Sequence, residues 1–433
     1  MTRVFRRVIR AATLCAALIA VSRLSVAQRV ATIPESLSDQ EFWRLFTTLS
    51  EESGTFPSEN FVSNEKTFQF VIPTLERTIT PSGVYLGVGP EQNFTYIANL
   101  QPRLAVIIDI RRQNAMQHLM YKALFELSAS RAEFVSRLFS RRLPPSLPRI
   151  ASPADIFAAI SDAPANDSAF AVNWKAIIDR LRVRHGFTIT PADSVSMRHV
   201  FQAFFEAGPD ISYAYHLGSP PTPTAWLVSF GQLQTLTNVE GENMAFLSTE
   251  ERYQWLRSFE SRNLVVPIVG DFAGSKAIRG VGEYVRAHNA IVTTFYCSNV
   301  EQYLFTGLGG EKAFYRNVAT LPIDSTSTFI RSLPAPSVPM PPLPSFRFNL
   351  NRVVVSTDSA GIKTITATGT DAAGRTVDTS FVAPAVPVNS LGAFVSGITP
   401  MHQVLEAFLA GRLQTYAQLG ALTKADFGWK PAK

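Results

Sequence analysis

The chain has 433 residues, 46% hydrophobic and 17% charged, a globular composition long enough for one large domain plus an appendage or for two domains. Its formal charge of +6 is concentrated at the start: Arg3, Arg6, Arg7, Arg10 and Arg23 fall in the first 27 residues, which carry no acid, and the remainder holds 35 basic against 34 acidic side chains. A near-neutral mature chain gives no electrostatic basis for binding nucleic acid or anionic lipid, so no nucleic-acid partner is expected.

Residues 1–27, "MTRVFRRVIRAATLCAALIAVSRLSVA", join a basic start to an apolar run from Ala11 to Val21 and small residues at Ser25 and Ala27. That order reads as a secretory signal peptide cleaved after Ala27, with an uncleaved N-terminal anchor as the alternative. The mature protein is then expected to be exported, periplasmic or extracellular, and without a membrane span. Arg6-Arg7 fits a twin-arginine route, which exports proteins already folded. Cys15 lies in this leader, so Cys297 is alone in the mature chain and can form neither an intrachain disulfide nor a cysteine metal cluster. Its setting, "IVTTFYCSN", reads as a buried strand thiol.

Residues 28–62 form a lead-in with one helix: Ser38-Asp-Gln-Glu41 has capping-box spacing, and Phe42, Leu45, Phe46 and Leu49 follow at helical intervals. A second helix is expected from Asn64 to about Thr80, ended by Pro81-Ser82-Gly83. Strands are expected at 84–88 and 104–110, with a short helix between them and a nearly continuous helical stretch from Arg111 to Arg142. "RRLPPSLPRIASP" at 141–153 breaks that stretch. Residues 154–250 read as a mainly helical insertion, with a strand around "TAWLVSF"; the region is too long to be a simple connection. Strand and helix alternate again from 264, with strands at 264–270 and 290–297. Continuous apolar strands alternating with helices imply a mostly parallel sheet covered on both faces. The proline-rich segment 334–344 reads as a stiff linker that closes the main domain at 333. Residues 345–433 are expected to form a small β-hairpin and helix appendage, a surface suited to a protein partner, with turns at Asp358-Ser-Ala-Gly361 and Asp371-Ala-Ala-Gly374.

The chemistry gathers at the strand ends. Gly87-Val-Gly89 leaves the first strand, where glycine permits a sharp turn and close approach of a ligand to backbone. The third glycine of the dinucleotide fingerprint is missing, because Gln92 stands there, and no Gly-Lys-Ser/Thr follows. The pattern therefore suits a nucleoside without phosphates. Asp109 ends the second strand 22 positions after Gly87, where an acid accepts from ribose hydroxyls. Gly270-Asp271 ends the third strand, and Asp271 reads either as ligand-facing or as a helix N-cap. Ser298-Asn-Val-Glu-Gln-Tyr303, a dense polar set, follows the fourth. Arg111 and Arg112 read either as binding an anionic substrate, one of them facing the crevice, or as solvated on their helix, and Glu91 and Glu301 are the candidate acid and base. Together these ends predict one small-molecule crevice. The histidines His118, His185, His199, His216 and His288 show no metal-ligand spacing, no metal is predicted, and no Gly-x-Ser-x-Gly elbow occurs.

These stretches, "GVYLGVGPEQNFTYI…AVIIDIRRQN", "NLVVPIVGDFAGSKAIRGVGEYVR" and "FYCSNVEQYLF", resemble class I S-adenosylmethionine-dependent methyltransferases, and more closely an uncharacterised bacterial family with a methyltransferase-like fold. The resemblance spans about residues 35–333. It implies a Rossmann-like α/β fold and S-adenosylmethionine as cofactor, with Gly87, Gly89, Glu91, Asn93, Asp109, Arg111, Gly270, Asp271 and Ser298 around it. It also implies that Glu301, Glu91 and Asn299 are the residues nearest the chemistry. Two departures stand out: Tyr85 occupies the place of the acid usual before the first glycine, and the Asn-Pro-Pro-aromatic motif of many amino-methylating enzymes is absent. The resemblance thus leaves two functions open, methyl transfer and an inactive small-molecule or partner-binding protein on the same fold.

Overall fold

The computed structural model describes residues 32–148, 150–218, 228–306, 309–334, 349–357, 363–370, 374–382, 394–424 and 430–431. The expected signal peptide 1–27, residues 335–344 of the expected linker, the expected strand up to residue 227 and the expected turn residues 358–361 and 371–373 lie outside them.

Helix α1 (Asp39–Leu49) begins where Ser38 accepts from the Glu41 amide at 3.1 Å, and it buries Phe42, Leu45 and Phe46. An N-cap and an apolar stripe account for it. The helix expected from Asn64 is shorter: a 3₁₀ turn at Phe68–Val71 leads into α2 (Ile72–Thr78). Pro73 favours a helix start there, while Ser63, Glu65 and Thr67 spend their side chains on tertiary hydrogen bonds. Then follow β1 (Val84–Gly87), α3 (Gln92–Leu100) and β2 (Leu104–Asp109). The stretch expected as nearly continuous helix is two helices, α4 (Arg112–Leu127) and α5 (Arg131–Phe139), the second restarted by Ser130 capping the Glu133 amide.

The insertion supplies α6 (Pro153–Asp162), α7 (Asp167–Asp179), α8 (Pro191–Ala207) and the short α9 (Phe230–Leu233). Charged side chains fasten it at two places among others. Asp193 takes a bidentate pair from Arg112 at 2.6 and 3.0 Å, and His185 bridges Asp39 at 2.7 Å and Glu126 at 2.8 Å. Phe187 stacks on Phe42 and Trp43 beside the second tie.

After α10 (Glu250–Ser261) come β3 (Val265–Val269), α11 (Ala277–Ala287), β4 (Val292–Ser298), α12 (Val300–Leu304), α13 (Gly310–Val318) and β5 (Thr328–Pro334). Strands β6 (Asn349–Thr357), β7 (Lys363–Thr370) and β8 (Thr376–Val382) precede β9 (Phe394–Pro400), α14 (Met401–Leu409), α15 (Tyr416–Leu422) and β10 (Lys430–Pro431). The central sheet runs β3-β2-β1-β4-β5-β9, parallel throughout except for β9, which pairs antiparallel with β5. The molecule is therefore α/β with a mostly parallel, six-stranded mixed sheet, consistent with a Rossmann-like arrangement. Strands β1, β2 and β3 are buried along their whole length, which explains their unbroken apolar runs. Pro267 is tolerated because β3 is an edge strand.

The segment expected as a single appendage divides. Strands β6, β7, β8 and β10 form a separate antiparallel sheet, whereas β9 adds to the main sheet beside β5 over seven residue pairs. Strand β9 is held further by Thr67, whose hydroxyl accepts from the Ser396 amide at 2.7 Å. An edge strand left open at β5 exposes unpaired backbone groups, and a strand from beyond the linker satisfies them.

Candidate functional site

The order of the strands reverses between β1 and β4: from β1 the chain builds outward to β2 and β3, then returns to the other side of β1 with β4 and β5. Connections on either side of such a point diverge and leave a crevice beyond the carboxyl ends of the strands. A cavity of about 340 Å³ lies there, within the size range of small-molecule sites. Its walls come from four strand ends, the lead-in, the insertion and α12. Val88, Gly89 and Pro90 follow β1; Asp109, Ile110 and Arg111 follow β2; Gly270, Asp271 and Phe272 follow β3; and Tyr296, Ser298 and Asn299 end β4. The lead-in supplies Phe56, Asn60, Ser63 and Glu65, the insertion supplies Tyr213, and α12 supplies Tyr303.

Gly89 is the open part of the first turn. Its φ is +76°, and a Cβ there would meet nothing nearer than Asn60 at 3.9 Å. Backbone is thus bare toward the cavity in a conformation that favours glycine. Gly87 serves packing instead: a Cβ would sit 1.9 Å from Asn93 Oδ1 and 2.8 Å from the Tyr85 ring. Asn93 fills that space. Its amide donates to the carbonyls of Val88, Gly89 and Pro90 at 2.8–3.1 Å, and its Oδ1 accepts from the Tyr85 hydroxyl at 2.9 Å. Tyr85, standing where an acid is usual, therefore orients the side chain that shapes the turn. Behind it, His118 Nε2 bonds the Gly89 carbonyl at 2.9 Å, and burial pushes this imidazole down to about 4, so it is neutral at neutral pH and donates from Nε2.

Asp109 is buried and already engaged. Arg111 binds it through Nε at 3.1 Å, Nη2 at 3.0 Å and its own amide at 2.9 Å, and carries on to the Glu59 carbonyl at 2.6 Å. A carboxylate has about four acceptor positions, so Asp109 keeps one for a ligand hydroxyl while Arg111 neutralises its charge. Asp271 accepts from the Ala273 amide at 2.9 Å, a local turn that leaves its other oxygen for the cavity. Gly270 allows close packing of β3 on α11, since a Cβ would lie 2.3 Å from that of Ala277. Ser298 has φ +50°, a conformation uncommon for residues other than glycine, and it turns its hydroxyl toward Glu65.

The two carboxylates expected to work as acid and base are not in the cavity wall. Glu301 is 1% exposed and points away from it, toward Arg331 at 2.5 and 3.0 Å and the Tyr315 hydroxyl at 2.7 Å. This is a buried structural ion pair that pins α12 to β5. Glu91 lies beneath the wall, where one oxygen accepts from the Ser63 amide at 3.1 Å and the other has no partner. Burial pushes its carboxyl up to about 7. Asn299 does line the cavity and stands at the N-cap position of α12 without a side-chain capping bond.

One well-connected residue was missed in the sequence. Glu65, 2% exposed, accepts from Ser298 Oγ at 2.5 Å, Tyr296 Oη at 2.8 Å and Gln92 Nε2 at 2.8 Å. Burial raises its carboxyl, and these donors act in the opposite direction. Only its sequence neighbours Ser63 and Asn64, polar ahead of an apolar run, hint at a buried polar cluster. Phe56 and Tyr213 were equally unmarked; Phe56 meets Tyr303 edge-to-face at 5.3 Å.

Among the described residues no group of His, Cys, Asp and Glu is arranged to hold a metal ion, and no helix is long and apolar enough to cross a membrane. Fold and site together define an α/β domain with a crevice at its topological switch point. The chain belongs to the family described as Domain of unknown function (DUF7790), whose model matches residues 60–143 and 228–368, just over half of the chain. The gap between the two matched segments contains α6, α7 and α8, so the family pattern omits most of the helical insertion. A comparison with curated proteins finds no match.

Proposed function

We propose that this domain is methyltransferase-like and binds S-adenosylmethionine, or a related nucleoside without phosphates, in the crevice at the ends of β1 to β4. The observation that carries the reading is the pairing of bare backbone at Gly89 with the one free acceptor position of Asp109 on the next strand. A ribose lying across these strands donates to Asp109, and the ligand's backbone-hugging part runs along Gly89. The missing third glycine and the commitment of Arg111 to Asp109 argue against a pyrophosphate in the same place. Bound there, S-adenosylmethionine would supply an electrophilic methyl to the lone pair of a neutral acceptor, with the carbon–sulfur pair going to sulfur and the acceptor's proton to solvent, and the residues of the crevice would contribute alignment above all.

A second reading, binding without chemistry, is favoured by one specific observation: neither Glu91 nor Glu301 faces the crevice to take a proton. The two readings separate experimentally. Mature protein with ligand at 100 times its Kd gains about 2.7 kcal/mol of stability, read as a thermal shift. No shift with millimolar S-adenosylmethionine or S-adenosylhomocysteine sinks the cofactor. A shift without any S-adenosylhomocysteine formed from S-adenosylmethionine across amine, hydroxyl and carboxyl acceptors leaves the binding reading.

A further inference from the structure

The hydroxyls on the β4 side of the crevice have their hydrogens already assigned. Ser298 Oγ donates to Glu65 Oε1 at 2.5 Å, and Tyr296 Oη donates to the same oxygen at 2.8 Å while accepting from Gln92 at 3.0 Å. A hydroxyl has one hydrogen, so each of these groups can offer a ligand only lone pairs. Glu65 is acceptor-only when ionised, and four side chains (Ser298, Gln92, Tyr296 and Ser332) donate to it, which holds the arrangement in one sense. The charge count points the same way. Among the described lining residues the carboxylates are Glu65, Asp109 and Asp271, and the cation Arg111 is consumed by Asp109. An anionic ligand would find no free cation and an acceptor-rich wall. Asn60 and Asn64 present amides, which serve either sense.

Phe56, Tyr213 and Tyr303 also line the cavity; Tyr303 is 46% exposed, and the Arg111 guanidinium already lies over the Phe56 ring at 5.8 Å. Aromatic faces take the apolar flank of a cation at low cost, and this is how ammonium groups are recognised elsewhere. We infer that the β4 side of the crevice is an amine pocket: Ser298 Oγ, oriented by Glu65, accepts a hydrogen bond from a ligand ammonium or amine whose body packs on Tyr213 and Tyr303. The inference rests on the crevice being a ligand site and, on the reading above, gives the class of acceptor, an aromatic or alkyl amine.

The test uses two small probes with the same ring and opposite charge, tyramine and 4-hydroxyphenylacetate, titrated calorimetrically into mature protein, with S-adenosylmethionine run in parallel. Tyramine should bind at least tenfold tighter than the acid. Ser298→Ala should weaken tyramine roughly tenfold, the loss of one charge-assisted hydrogen bond. Glu65→Gln places an amide donor where the hydroxyls now donate, so it should abolish or reverse the preference. Because Glu65→Gln can fail to fold, Tyr303→Leu at an exposed position provides a further variant, expected to weaken tyramine by several-fold at an unchanged unfolding midpoint. Equal or tighter binding of the acid, no tyramine binding at millimolar concentration, or an unchanged preference in a folded Glu65→Gln protein overturns the inference. A retained S-adenosylmethionine shift without the amine preference sinks the amine pocket alone. The amine preference without that shift sinks the cofactor reading alone.

Discussion

Replacing Glu301 by glutamine separates a structural carboxylate from a catalytic one. Glu301 and Arg331 are 1% and 0% exposed, joined through two hydrogen bonds, and Arg331 has a third nitrogen, Nη1, with no partner. Glutamine keeps one acceptor for Tyr315 but removes the charge, so the guanidinium stays buried without compensation. Removing one partner of such a pair costs about 3–5 kcal/mol, because the remaining charge can neither reach water nor readily lose its proton. Set against a total stability of about 5–15 kcal/mol, that is a large fraction. With a urea dependence near 3 kcal/mol per molar, the unfolding midpoint should fall by about 1–2 M. The double variant Glu301→Leu/Arg331→Met should recover most of the loss, since apolar groups of similar size replace a buried pair at little cost. A midpoint unchanged in Glu301→Gln, together with lost ligand turnover, would refute the structural role and return Glu301 to the chemistry.

Other outcomes follow from the same site. Gly87→Ala should cost about 2–3 kcal/mol in chemical unfolding, because its Cβ displaces Asn93 and with it three bonds worth about 1 kcal/mol each. Gly89→Ala has room but holds φ +76°, so it should cost only about 1–2 kcal/mol while narrowing the cavity, seen as weaker ligand binding. Glu91 has its carboxyl pushed up to about 7 from 4.5 in the fold, so its contribution is fully present below pH 4.5 and is lost as pH rises through 7. Glu91→Gln should therefore be nearly neutral at pH 4 and stabilising by up to about 3 kcal/mol at pH 8; equal effects at both would remove the buried-acid account. His118 has the opposite sign: its folded value of about 4 lies below 6.5, so its stability is present above pH 6.5 and fades as pH falls through 4. Residues 1–30 fused to a reporter that folds only outside the cytoplasm should direct its export, and retention of both folded-route and unfolded-route reporters would refute the leader.

Local pattern alone accounts for most of the frame. Apolar runs at 104–109 and 265–269 have no alternation because both faces are covered, and that is legible without coordinates. Gly89 and Asp109 were legible for a similar reason, since a turn needing positive φ and an acid at a strand end are local demands. The boundary of the main domain was not. Residues 394–400 lie beyond a proline-rich stretch, and only the unpaired edge of β5, a feature of the assembled sheet, decides where they go.

The roles of the acids were decided by tertiary structure as well. Glu301 follows β4 as closely as a catalytic residue does, yet a one-turn helix turns it away from the crevice and onto Arg331, 30 residues later in sequence. Glu65 sits in an unremarkable lead-in and reaches Ser298, 233 positions away, because the segment before α2 folds over the strand ends. Which residues sit at strand ends follows from the chain's own periodicity and turn chemistry. Which way a side chain faces, and whether its charge is already spent on a neighbour, depends on contacts between segments that have no relation along the chain.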